Sequence, residues 1–431
     1  MRTMLAVLLC LAAAPLPARA EPVAPALQAT LAEAAHQRLP VLVAFRAPWC
    51  YSCYYMERHV HTGPEWEALK KRARVLELDA DSPEGAAQMQ SWGLRPLPAH
   101  VLLDAQGREI GRMLGEQTRS DFFAQIDRWL GPGARFDDLR VIAERGGKKG
   151  RAAADAALAA FIAREDADGG LDWFYDLPGA VRRGYEPDAA LMTRIARLRL
   201  MQAAQFQDHA ACSAAAQAVF ARELGCERPY EVSRYQSCLG EGAKDALLLG
   251  QREPLQRLVD ERVLTEAPSC ADERSPVRVL ASLYRAAGDE PARLRLLDRA
   301  ISQLRKRLGT DLGRDRSAAD NLRAYVEDRG DLGAYDALMP RLIATWPQDY
   351  VYAYRYGRNL VERDRASEAL PYLERAARSA YGQNRLRVAE QRVKALKRLG
   401  RSEDARKVAA EALKANGPWF PEEAAGLKGQ L

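Results

Sequence analysis

Along the first third of the chain, short unbroken apolar runs alternate with stretches whose apolar residues recur every three or four positions. Residues 41–45 (Val-Leu-Val-Ala-Phe) have the length and composition of a buried strand, and 75–78 and 99–103 repeat the pattern. A weaker fourth run covers 108–113, separated from the third by Asp104-Ala105-Gln106-Gly107, a turn-forming stretch that predicts a hairpin. Helical spacing covers 26–37, 50–60, 65–71, 85–92 and 119–129. In 50–60 Cys53, Met56 and Val60 share a face until Gly63-Pro64 interrupts. In 119–129 Phe122, Phe123, Ile126 and Trp129 supply the apolar residues. A strand–helix–strand start followed by a hairpin and a closing helix predicts an α/β domain of about four strands over 21–131.

Gly131-Pro132-Gly133 ends this pattern, so 132–137 reads as a linker. From 138 to the end the chain is rich in Ala, Leu and Arg and reads as helix throughout. The part over 281–431 repeats itself. In 353–382, Gly357, Leu360, Ala369, Leu373 and Ala376 fall where a two-helix hairpin needs small or apolar residues. A shift of 36 residues puts Ala405, Ala409 and Ala412 on the second-helix positions, with Pro418 beyond. Weaker copies lie around Ala281, Tyr284, Leu297 and Ala300, and around Leu322, Val326 and Pro347, punctuated by Gly288-Asp289, Gly330-Asp331 and Gly400-Arg401. The spacing resembles tetratricopeptide repeats, with a plain irregular helical bundle as the alternative. Solenoid surfaces of this kind bind polypeptide. Residues 138–280 fit the repeat less well and carry four cysteines.

The first twenty residues read as a cleavable export signal: Arg2, an apolar stretch over 4–14, and Ala18-Arg19-Ala20 before the cut. The apolar stretch is too short for a permanent membrane helix. Leu9 before Cys10, where a lipoprotein signal wants a small residue, argues against a lipid anchor. Export to a bacterial periplasm is the expected destination. With 431 residues, 48% hydrophobic and 28% charged, the chain is long enough for two or three globular domains. The formal charge of +6 is dispersed among acids, which argues against nucleic acid as a partner. In an oxidising compartment the six cysteines outside the signal read as three disulfides. Cys50 and Cys53 make one; Cys212, Cys226, Cys238 and Cys270 allow three connectivities. One of the three follows if helices pack antiparallel about Gly225, which would put Cys212 beside Cys238 and leave Cys226 to Cys270; the sequence does not decide among them.

Trp49-Cys50-Tyr51-Ser52-Cys53, directly after the first strand, carries the chemistry. Two thiols three positions apart at a strand-to-helix junction form and break a disulfide with little backbone movement. The first sulfur lies at a helix N-terminus, where unpaired N–H groups favour a thiolate. Zinc would want a second ligand pair, and the later cysteines supply no second CxxC. This motif, together with Leu97-Pro98 before the third strand, resembles the thioredoxin family over nearly all of 21–131. Within it the hairpin sequence 104–109 and Glu57, four residues after Cys53, are most similar to the C-terminal periplasmic domain of DsbD-type thiol:disulfide interchange proteins.

The resemblance implies an α/β thioredoxin-like domain followed by an all-α, tetratricopeptide-like region. It implies that Cys50 attacks a partner disulfide, that Cys53 resolves the mixed disulfide, and that Pro98 is cis and faces the pair, beside Trp49. Glu57 is either the proton carrier or a solvated helix carboxylate. The buried Asp usual in thioredoxins six residues before the first cysteine is Ala44 here. No His separates the cysteines, which favours a reductase or isomerase, and His59 and His61, too far along the helix to reach Cys50, read as surface residues. The expected partners are proteins with cysteines or disulfides and a membrane electron donor of DsbD type, without stable membrane insertion. No pattern calls for a nucleotide, flavin or metal cofactor. The competing reading is a periplasmic chaperone or assembly scaffold with an auxiliary redox pair.

Overall fold

The computed structural model describes residues 25–131, 135–240 and 243–431. The export signal over 1–20 and half of the linker over 132–137 lie outside the described residues. The apolar runs become a four-stranded sheet in the order β2-β1-β3-β4, with β1 Val41–Arg46, β2 Arg74–Asp79, β3 Ala99–Leu103 and β4 Glu109–Leu114. β1 pairs parallel with β2, setting Val41 beside Arg74, and antiparallel with β3, setting Ala44 opposite His100. β3 and β4 form the expected hairpin, with an irregularity between Leu102 and Leu103. Asp104 shapes its turn by accepting the amides of Gln106 and Arg108 at 2.9 Å.

Strand alternation divides the core in two. Val41, Val43, Phe45, Val101 and Leu103 pack on one face with α1 (Pro25–Gln37) and α4 (Pro83–Ser91). Leu42 and Leu102 face the other way, onto α2 (Tyr51–His59), α3 (Gly63–Arg72) and α5 (Arg119–Trp129) through Met56, Trp66, Leu69, Phe122 and Ile126. This is the α/β thioredoxin-like plan, and it puts the start of α2, with the cysteine pair, just past the C-terminal end of the central strand β1.

The rest of the described chain is helical. Four consecutive hairpins pair Arg274–Ala287 with Glu290–Leu308, Arg316–Arg329 with Leu332–Thr345, Val351–Glu362 with Ala366–Ser379, and Gly382–Arg398 with Ser402–Asn416. In the first two turns a glycine in the left-handed region, Gly288 or Gly330, ends one helix. Asp289 or Asp331 then caps the next by accepting the amide of its third residue, Ala292 or Ala334. The disulfides join Cys212 to Cys238, across the two helices of the hairpin about Gly225, and Cys226 at its turn to Cys270, just before helix Arg274–Ala287.

The helical region meets the sheet domain twice. At the far edge, Glu109 on β4 is shared between Arg112 at 2.6 Å and Arg164, at the end of helix Gly147–Ala163, at 2.7 Å. On the other side, helix Arg316–Arg329 packs against α2 itself.

Small residues allow the hairpins to close. A Cβ on Gly357 would sit 2.6 Å from Cγ of Leu373, a buried residue of the facing helix. Gly357→Val is therefore expected to lower stability by about 1–3 kcal/mol through overpacking, seen as a lower urea midpoint. Glu374, exposed on the same facing helix, provides the control. Glu374→Ala is expected to stay within about 0.5 kcal/mol of the unmodified chain.

Candidate active site

Cys50 is the N-cap of α2. Its backbone is extended, its Sγ accepts the Cys53 amide at 3.1 Å, and it is disulfide-bonded to Cys53. The sulfur of Cys50 thus already takes the kind of N–H contact that would stabilise a thiolate there. The Leu97–Pro98 peptide is cis, and Pro98 lines a narrow cleft together with Cys53. Both cysteines are buried, Cys50 at 4% exposure and Cys53 at 2%.

The burial of Cys50 comes with a close-fitting helical surface. Trp49 donates its indole N–H to both oxygens of Asp81 at 3.0 Å, and Asp81, fully buried, also accepts Gln383 Nε2 at 2.7 Å. The Trp49 carbonyl accepts Arg355 at 3.0 Å. Arg274 lies 3.5 Å from the centre of the Tyr51 ring and Arg316 4.0 Å from that of Tyr54. His59, half-exposed, faces Asp315 at 3.4 Å. Helix Gly382–Arg398 begins so close to the Asp81 backbone that a Cβ on Gly382 would lie 1.7 Å from the Asp81 carbonyl oxygen. Residues from the helical hairpins therefore flank Trp49, Tyr51 and Tyr54.

Asp320 organises this surface. It is fully buried and receives Arg274 at 2.7 Å, Arg323 at 2.9 Å and Arg355. Burial alone would raise its pKa, but Arg323, Arg355 and Arg274 hold the carboxyl well below the usual carboxylate range.

Behind Cys53, a cleft with room for about one water is lined by Ala44, Met56, Glu57, His61, Pro98 and His100, among others. Glu57 is half-exposed and paired with Arg46 at 3.3 Å. Arg46 also holds Glu77 at 3.0 Å. Burial pushes the Glu57 carboxyl up, opposed by Arg46. His61 departs from the surface position read from sequence. α2 ends at His59, and the His61 amide turns back to the Met56 carbonyl at 2.7 Å. Its ring stacks on Trp66 with centroids 4.4 Å apart and meets His100, Nε2 to Nε2, at 3.0 Å. His100 is completely buried. Burial lowers the His61 pKa to about 4 and that of His100 well below the usual value.

Sequence reasoning also missed Glu116, just past β4. Burial and Asp272 push its carboxyl well above the usual range against the pull of Arg274 and of Ser52, which lies between the two cysteines. Its only local signal was an acid beside Gly115; the residues that make it unusual come from the helical region. Among the described residues no cluster of three or more His, Cys, Asp or Glu is placed to hold a metal, and no helix is long and apolar enough to cross a membrane.

A strand leading into a helix capped by the first cysteine of a CxxC pair, with a proline-led strand alongside, defines a thioredoxin-like redox domain. Residues 22–105 match the family model described as thioredoxin-like. The domain is related to that of the thiol:disulfide interchange protein DsbD. The protein of that name from Ralstonia nicotianae is 34% identical over 95 residues, covering 21% of this chain and 16% of that protein. The Cronobacter sakazakii protein is 32% identical over 80 residues (18% and 14%), and the Yersinia pestis protein 30% over 112 residues (25% and 18%). The chain thus spans less than a fifth of the length of these relatives.

Two outcomes follow from the buried charges. Asp320→Ala leaves three arginines without their common partner and is expected to cost roughly 3–5 kcal/mol, measured by urea unfolding of the full chain. The two imidazoles are neutral in the folded state, whereas unfolded histidines titrate near 6.5. Below that pH the folded state therefore binds fewer protons than the unfolded one. The stability they contribute is complete above about pH 6.5 and falls as pH drops toward the folded value of about 4. Urea midpoints measured at pH 7 and pH 5 are expected to differ in that direction, and the difference should shrink in His61→Phe.

Proposed function

We propose that this protein is an exported, periplasmic thiol–disulfide oxidoreductase that exchanges disulfides with protein partners through Cys50 and Cys53. The observation that carries the reading is the position of Cys50, N-cap of a helix in a thioredoxin-like domain and bonded to the cysteine one turn on. In the reducing direction Cys50 thiolate attacks a partner disulfide, forming a mixed disulfide and releasing one partner thiolate. Cys53, losing its proton, then attacks Cys50 Sγ and releases the second partner sulfur. Two electrons pass to the partner, and two protons accompany them. Trp49 and Pro98 shape the approach to Cys50. The absence of a cation or His between the cysteines favours reduction or isomerisation, with electrons supplied by a membrane donor of the DsbD type.

The helical hairpins are proposed to govern which partners reach the pair. They pack against Trp49, Tyr51 and Tyr54, so a protein substrate must displace or separate them before its sulfur meets Cys50. The same burial favours a second reading, a periplasmic chaperone or assembly scaffold in which the disulfide is auxiliary.

Trapping separates the two. Cys53→Ala is expected to accumulate mixed disulfides with periplasmic proteins through Cys50, seen as thiol-sensitive bands on non-reducing gels and lost in the Cys50→Ala, Cys53→Ala double variant. Adding Gly382→Ala, whose Cβ collides with the Asp81 carbonyl, should raise the yield several-fold by loosening the cover. A scaffold would trap nothing in either background.

A further inference from the structure

Resolution by Cys53 requires its thiol proton to go somewhere, and the cleft behind it offers few acceptors. The charged or titratable side chains lining that cleft besides Cys53 are Arg46, Glu57, Glu77, His61 and His100. Arg46 has no lone pair to offer, and its guanidinium engages both Glu57 and Glu77. Ala44 contributes only a methyl group. It stands opposite His100 across β1 and β3, and residues directly opposite share a face of the sheet. Trp66 and Phe122, from α3 and α5, close on the imidazoles and bring no charge.

The two imidazoles meet Nε2 to Nε2 at 3.0 Å, so one proton lies between them. The Nδ1 atom of His100 is buried without a hydrogen-bond partner. A buried bare acceptor is less costly than a buried orphan N–H, which makes His100 the Nε2–H donor and His61 the acceptor. His100 Nδ1 is then an unprotonated base without a partner, on a residue that lines the same cleft as Cys53.

We propose that the His61–His100 pair is the proton acceptor of Cys53. The proposal rests on the exchange reaction above. In the mixed disulfide, the Cys53 S–H proton passes to His100 Nδ1, directly or through the single water the cleft admits. The S–H bond breaks and an N–H bond forms, and the positive charge is shared with His61 across the Nε2–H···Nε2 bond. Cys53 thiolate attacks Cys50 Sγ, and the departing partner thiolate later takes the proton back by way of solvent. With the disulfide closed the carboxylates lining the cleft, Glu57 and Glu77, are paired with Arg46, and the imidazoles stay neutral. With Cys53 as thiolate, the ion pair stabilises imidazolium, as burial beside an opposite charge requires.

The test uses the full chain. Histidine Cε1–H signals are titrated by NMR in the disulfide and in the dithiothreitol-reduced protein. The midpoint of the pair is expected to rise by at least about one pH unit on reduction; equal midpoints overturn the proposal. This readout needs no variant and would not respond to a packing role. In parallel, the Cys50–glutathione mixed disulfide is formed and its closure by Cys53 followed. His100→Gln, which keeps polar atoms and cannot hold the proton, should slow closure at pH 7 at least about tenfold and recover at pH 9. Closure of His100→Gln at the wild-type rate, or slowing by Glu57→Gln alone, overturns it. If wild-type protein forms no mixed disulfide at all, the failure belongs to the oxidoreductase reading and not to the histidines.

Discussion

Asp320 has no exposed surface and three guanidinium groups bound to it, and each guanidinium has further contacts around the interface. Arg274 covers the Tyr51 ring, Arg355 donates to the Trp49 carbonyl, and Arg323 reaches Glu327 at 2.6 Å. Removing an ion from water costs several kcal/mol, so one carboxylate does not by itself justify two buried cations and a third partly buried one. The balance is made up by groups that solvate the arginines: Asn321 for Arg274, Glu327 for Arg323, and the aromatic face and carbonyl supplied by the CxxC segment. Trp49 and Tyr51 are therefore part of the solvation of the charge cluster, which is why the helical region and the start of α2 fit together so closely.

A second anchor differs in kind. Around Asp81 the donors are the Trp49 indole, Gln383 and the Tyr350 hydroxyl, all neutral, while burial pushes the carboxyl pKa up. Neutral donors to a carboxylate are weaker than guanidinium pairs. Protonation would release part of this anchor, whereas the Asp320 cluster keeps its charge under the same conditions. Of the two contacts flanking Cys50, the one at Asp81 and Gly382 is the easier to open.

The local pattern of the chain carried most of the sheet domain. Unbroken apolar runs located β1 and β3, Cys53, Met56 and the residues of 119–129 placed α2 and α5, and antiparallel packing about Gly225 offered the pairing in which Cys212 and Cys238 meet. These features depend on neighbours a few residues away. Arg355 and Trp49, by contrast, are separated by 306 positions, and Asp81 and Gln383 by 302, so no periodicity announces that the helical region lies on the CxxC helix. His61 misled for a different reason. It follows the end of α2, where a helical wheel no longer predicts direction, and its partner His100 sits inside an apolar strand where one polar residue looks like an interruption. Only the register of β1 against β3 shows that His100 stands opposite Ala44.

The burial of Cys50 ties the redox state of the pair to the position of the helices. A disulfide carries no charge and tolerates the dry, covered site. A thiolate at Cys50 has the α2 N-terminus to stabilise it but loses solvation beneath the helical cover. If the cover raises the free energy of the thiolate relative to the disulfide, the thiolate must, by the same amount, raise the free energy of the cover relative to the open form. On that condition, reduction would work against closure and oxidation for it. Cys53 does not share this coupling in the same degree, because the cleft beside it lies on the sheet side, lined by His100 and Ala44 rather than by the helices. The two sulfurs of one disulfide thereby answer to different surroundings: the first to the helical region that a partner must move, the second to a buried polar pair within the domain.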